Sequence, residues 1–287
     1  MKTIAGSTVC VLVLAAAACG GKEPAEPPVA KPTVTLNKER AAIGSPLKIT
    51  YRFDVAQNAT FDRDYVVFMH VIEPDGEKLW QDDHAPSIPT SQWKPGQTIE
   101  YTRTIFVPNY PYIGEANLRI GLYDIATGRR LTLDATEVSR HEYAVGRLNL
   151  LPQSENIFLI YNINKGWHAA EVDSSDPTRE WQWTRKAATI SLANPRRDAT
   201  FYLEWDARTD LFNPPQQVTV KTGEAVIGTF AASSKDRTLT TFPIAAGQWG
   251  AGDMAEITLE VDRTFAGSGT DTRELGLRVY QAFVEPK

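Results

Sequence analysis

Six residues in the second half of the chain have the types and spacing to hold a polar ligand: Trp167, His168, Glu171, Trp181, Trp183 and Arg273. Trp181 and Trp183 stand two apart, so on a β-strand both project from one face. Paired indoles offer flat apolar surfaces that match the C–H face of a pyranose ring, with an N–H at one end. The same spacing also serves core packing at a sheet edge, because tryptophan is largely buried in folded proteins. Trp167 follows Gly166 in a segment that reads as a loop, which favours an exposed ring. His168 and Glu171, with Arg273, would supply hydrogen bonds to hydroxyl groups. The competing reading is a Glu171–Arg273 ion pair that fixes this loop to the last strand.

Other reactive residue types are present without a reactive pattern. The histidines His70, His84, His141 and His168 are far apart in sequence, and none has metal-ligand spacing. Gln81-Asp82-Asp83-His84 and Asp124 offer loop carboxylates for a structural calcium ion, the one cofactor these residue types suggest. The alternative is solvated loop charge that satisfies turn amides. Ser154, Ser174 and Ser175 lack a nucleophile-elbow motif. Glu204, Glu256 and Glu260 are expected on an outward sheet face, where a carboxylate pair for glycoside hydrolysis would have to form. No catalytic residue and no metal centre are assigned, and the chain is expected not to be an enzyme.

These residues must be positioned by strands. Leu47 to Val55 alternates apolar and polar residues without a break, as a half-buried antiparallel strand does. Asp64 to Glu73 is apolar on both faces, as expected of a central strand. Gln97 to Val107, Ala116 to Asp124 and Glu137 to Arg147 follow, separated by turns such as Glu73-Pro74-Asp75-Gly76 and Trp93-Lys94-Pro95-Gly96. The second half repeats the style over 157–161, 187–192, 200–206, 217–222, 225–231, 238–244, 255–262 and 275–284. The expected fold is all-β, two tandem β-sandwiches, the first immunoglobulin-like over 33–149 and the second jelly-roll-like over 150–287. A net charge of -5 and a pI near 5.5, with no basic stripe, argue against a nucleic-acid partner.

The N-terminus gives an address. Lys2 precedes the apolar run Val9 to Ala18, which has the length of a signal-peptide core and falls short of a membrane span. Small residues lead into Cys19-Gly20-Gly21. This resembles the bacterial lipobox, with Leu14 one position further from the cysteine than in the commonest form and Ala16 in the usual leucine slot. The resemblance implies removal of residues 1–18, lipidation of Cys19 and a membrane as partner. Gly20 after the cysteine leans toward the outer membrane, facing periplasm or cell surface. The only other cysteine, Cys10, lies in the leader, so the mature domains would hold no thiol or disulfide. Residues 19–32, with four prolines, read as a polyproline-like tether.

Phe68-Met69-His70-Val71-Ile72-Glu73-Pro74-Asp75-Gly76, Pro89 to Gly96, and Gly121-Leu122-Tyr123-Asp124 with Gly128-Arg129-Arg130-Leu131 resemble a small β-sandwich domain appended to bacterial membrane glycosyltransferases. Gly166 to Glu171, Trp181-Gln182-Trp183-Thr184 and Arg273 to Val279 are similar to accessory and carbohydrate-binding sandwich domains of surface-polysaccharide proteins. The resemblances imply sandwich folds and a cell-envelope setting. With the residue types above, the expected function is a non-catalytic envelope lipoprotein whose second sandwich binds glycan through the six residues. The alternatives are a structural or assembly lipoprotein that binds an envelope protein, and a glycoside hydrolase.

Overall fold

The computed structural model describes residues 26–155, 157–176 and 179–287; the leader, Cys19 and the first half of the expected tether lie outside them. In chain order the first half forms β1 (Ala30–Leu36), β2 (Arg40–Ala42), β3 (Pro46–Val55), β4 (Val66–Ile72), β5 (Lys78–His84), β6 (Thr98–Phe106), β7 (Gly114–Tyr123), β8 (Thr136–Ser139) and β9 (Glu142–Leu151). The second half forms β10 (Leu159–Tyr161), β11 (Glu171–Val172), β12 (Glu180–Trp183), β13 (Ala187–Ala193), β14 (Ala199–Asp206), β15 (Gln216–Thr222), β16 (Ala225–Ala232), β17 (Thr238–Ile244), β18 (Met254–Val261), β19 (Phe265–Ala266), β20 (Glu274–Leu275) and β21 (Arg278–Pro286). The protein is all-β, as the alternating pattern predicts.

In the first sandwich, the sheet β1-β3-β6 faces the sheet β2-β9-β7-β4-β5, with β8 paired to β9. Leu47, Ile49, Tyr51 and Phe53 of β3 are all fully buried, the inward half of the alternation read from sequence. β4 runs between β7 and β5 and buries both faces, which explains its unbroken apolar run. The chain enters this sandwich earlier than expected. Val29 donates to the Thr132 carbonyl and Ala30 pairs with Val55, so the end of the proline-rich stretch is an edge strand. Pro32 is tolerated there because an edge strand has one unpaired side.

Two expected strands are broken. Glu137 to Arg147 is a hairpin, β8 and β9, turned at His141, which takes a positive φ of 51°. β9 then continues through Leu151 and pairs in parallel with β2, so the first sandwich ends two residues beyond the expected cut at 149. Residues 275–284 are likewise split between β20 and β21 at Gly276. A side chain there would strike Thr184 Oγ1 at 2.5 Å and the Arg185 carbonyl at 2.6 Å.

The second sandwich has two five-stranded sheets, β10-β13-β18-β15-β16 and β11-β12-β21-β14-β17. Its core of Ile190, Phe201, Leu203, Trp205, Val218, Ile257, Leu259 and Val284 is distinct from the core of the first sandwich. Lys38 Nζ meets Glu285 Oε1 at 2.9 Å, and Gln281 Nε2 donates to the Gly44 carbonyl at 3.1 Å, linking the two sandwiches.

Candidate functional site

The six residues expected to form one site are separated by the fold. Asn162 caps the short turn Ile163–Lys165 by accepting from the Asn164 amide, and Gly166 ends it in the left-handed conformation at φ 93°. A Cβ on Gly166 would lie 1.8 Å from the Ala187 carbonyl oxygen, so the chain can pass this close to β13 only as glycine. The tight turn drives Trp167 inward. Its side chain is 0 % exposed, meets Tyr161 edge to face at 4.9 Å, and donates from Nε1 to the Thr189 carbonyl at 2.9 Å. Trp167 is therefore a core residue, which corrects the expectation of an exposed stacking ring.

His168 is also buried, with Nε2 2.7 Å from the Glu274 carbonyl oxygen. Glu171 and Arg273 form the structural ion pair, Oε1 to NH1 at 2.6 Å. Arg273 also grips Asp271, and these two hydrogen-bonded carboxylates raise its already high pKa further. The polar groups assigned to a ligand are thus engaged within the fold.

Trp181 and Trp183 share a face, as their spacing predicts, and it is the outer face of the sheet rather than the core. There Arg278 stands 5.4 Å from each indole ring and 5.5 Å from the Tyr280 ring. Its guanidinium grips Asp206 through Nε at 2.7 Å and through NH2, and Tyr280 donates to the same carboxylate at 2.6 Å. Burial, reinforced by this carboxylate, pushes the Tyr280 phenol up to about 12. Trp183 is closed off by Phe265 at 5.5 Å, whereas Trp181 stays half-buried and donates to Glu171 at 3.2 Å.

This outer face forms one wall of a cleft of about 1620 Å³ between the sandwiches. Trp181, Tyr280, Glu204, Arg237 and Gln281 line that wall, with Phe158 at its rim. Trp80 of β5, Arg103 and Ile105 of β6, and Tyr110 line the other. Phe158 is 76 % exposed, so its ring is free to meet a ligand. Arg237 stacks on Tyr280 at 4.5 Å and pairs with Glu204. Of the six expected residues, Trp181 alone lines this cleft.

A buried polar network closes the first sandwich behind the cleft. Asp82 of β5 accepts from Tyr51 at 2.8 Å and from Arg103 Nε and NH2 at 3.1 and 3.0 Å, and His84 Nδ1 lies 3.2 Å away. His84 Nε2 is 2.8 Å from the Tyr101 hydroxyl. Burial alone would raise the Asp82 carboxyl, but hydrogen bonds from His84 and Arg103 outweigh it and hold the group well below the usual carboxylate range. Burial and the neighbouring Asp82 charge push the Tyr51 phenol far up.

The carboxylates offered for calcium do not converge on one point. Asp82 points inward, Asp83 accepts from Tyr123 on the opposite face, and Asp124 is taken by Arg63, Thr127 and the Ala126 amide. Among the described residues no group of three His, Cys, Asp or Glu converges on a metal position. The expected outward carboxylate trio is also divided, Glu204 on β14 in one sheet and Glu256 and Glu260 on β18 in the other.

No protein-family model and no curated protein matches the chain. Solved structures similar to it include a β-glucuronidase of Bacteroides uniformis, at 8 % identity and TM-score 0.31, covering 89 % of this chain and 30 % of that one. The CBM51-2 and INT domains of Clostridium perfringens ZmpB follow at 9 % identity and TM-score 0.25, covering 61 % and 38 %. The alkylpurine DNA glycosylase AlkC of Pseudomonas fluorescens, bound to DNA with an abasic site analog, has 12 % identity and TM-score 0.22, covering 41 % and 30 %. The chain thus spans less than two fifths of the length of each, and likenesses this distant leave its family open.

Proposed function

We propose that the chain is a lipid-anchored, non-catalytic envelope protein that holds a glycan segment in the cleft between its sandwiches. The observation that carries this reading is the cleft lining: Trp80, Tyr110, Phe158, Trp181 and Tyr280 beside Arg237, Glu204 and Gln281. Aromatic surfaces take the C–H faces of sugar rings, while amide and charged groups meet the hydroxyls. The site differs from the one expected from sequence; it keeps Trp181 and replaces its other five members.

Binding of the full-length chain to a panel of envelope and extracellular polysaccharides tests this. Phe158→Ala removes an exposed ring outside either core and Tyr110→Ala a half-buried ring packed on the rim of the first core, and each is expected to weaken binding about tenfold, near 1.4 kcal/mol. Unchanged melting temperatures would confirm that the loss is local. If no polysaccharide binds, the glycan reading fails and an envelope protein becomes the partner to seek.

The anchor supplies a separate prediction. Cys19→Ser is expected to abolish incorporation of labelled fatty acid and to move the chain from the membrane fraction to the soluble fraction. Label retained on the Cys19→Ser chain would overturn the lipoprotein reading.

A further inference from the structure

Edge strands carry unpaired N–H and C=O groups, and proteins protect them with charges, prolines or short length. Among the described residues, the edges longer than three residues are β1, β5, β6, β8, β16 and β17. Five of the six are protected. β1 has Lys31 and Pro32, β5 has Lys78, Asp82 and Asp83, β6 has Glu100 and Arg103, β8 has Glu137, and β17 has Pro243. β16 reads Ala-Val-Ile-Gly-Thr-Phe-Ala-Ala, with no charge and no proline. Its pairing with β15 is irregular between Val220 and Lys221, but the stretch Gly228–Ala232 is in regular register. Thr229 and Ala231 are exposed, while Phe230 stacks on Trp205 at 4.7 Å and holds the strand in place.

We propose that β16 pairs antiparallel with β16 of a second copy about a two-fold axis near Thr229, joining two five-stranded sheets into one. Charge argues for self-pairing. Glu224 precedes the strand and Lys235 follows it, with nothing charged between them. Antiparallel pairing brings the acidic end of each copy to the basic end of the other, and does so twice. It also terminates. An isologous contact consumes both long edges, and the far edge left on each side is β10, three residues long.

Sedimentation of the full-length chain in density-matched detergent, over a wide concentration range, tests the pairing. The wild-type chain is expected to show a reversible monomer–dimer equilibrium. Thr229→Lys with Ala231→Lys opposes like charges at the axis and is expected to raise the dimer dissociation constant at least 100-fold. Hydrogen exchange gives the location: among residues 228–232, the amides that face away from β15 should lose protection on dilution of the wild type and be unprotected in the variant. A wild type that stays monomeric, a variant that dimerises as the wild type does, or outward-facing amides at 228–232 whose exchange ignores concentration would each overturn the proposal.

Discussion

Replacing Asp82 with alanine is expected to destabilise the first sandwich by about 3–5 kcal/mol, the usual cost of breaking a buried ion pair from one side. The loss is large because Asp82 satisfies three groups together: the buried Tyr51 hydroxyl, the Arg103 guanidinium and the buried His84 ring. With the carboxylate gone, Tyr51 and His84 keep their burial and lose an acceptor. Urea unfolding followed at the first sandwich would measure the change. The pH dependence has a definite sign. The folded carboxyl lies below its ordinary value of 3.8, so the unfolded chain binds the proton more tightly. Its stabilisation is complete above about pH 5 and is lost as pH falls through the ordinary carboxylate range toward the folded value. Asp82→Asn should flatten this acid limb, seen as a smaller change in urea midpoint between pH 5 and pH 3. An unaltered acid limb in Asp82→Asn would show that another carboxylate controls it.

Trp167→Ala is expected to cost the second sandwich about 3–5 kcal/mol, the range for a large aromatic removed from a core. The indole is fully buried, and its N–H satisfies the Thr189 carbonyl. Trp167→Phe should recover part of the loss, because it refills much of the cavity while leaving that carbonyl without its donor. The outcome also separates two roles for this residue. A core tryptophan lowers the unfolding midpoint and leaves the glycan affinity of the remaining folded protein unchanged; a stacking tryptophan does the reverse. Thermal unfolding and binding measured on the same Trp167→Ala sample distinguish them.

Much of the scaffold was legible because alternation reports burial directly. β3 could be read residue by residue from Leu47 to Val55, and β4 from its apolar residues on both faces. Breaks inside strands were harder to read. The crossing at Gly276 leaves the Leu275, Leu277, Val279 alternation intact, since it is set by what packs beside the backbone, whereas the turn at His141 falls in the polar run Ser139-Arg140-His141-Glu142, a turn signal already present in the sequence. The Gly166-Trp167 pair misled for a related reason. Glycine before tryptophan reads as an exposed loop, yet here it marks a backbone pressed against Ala187 that turns the indole inward. In Gln81-Asp82-Asp83-His84 the period of two was itself the signal: positions 82 and 84 share the inner face, positions 81 and 83 the outer. The cleft was hidden altogether. Trp80, Tyr110, Phe158 and Tyr280 are spread over about 200 positions and meet only because two separate cores are placed side by side.

That the cleft walls belong to two independent cores bears on how tightly anything can be held there. On the proposed glycan reading each wall is a half-site, and the sandwiches are joined by such polar links as Lys38–Glu285 and Gln281–Gly44. A ligand seated on one wall meets the other at an effective concentration set by the spacing of the two bodies. Affinity is then a property of distance as much as of contacts. A substitution at Lys38, which lies outside the cleft lining, would tune it by altering how the walls are held together.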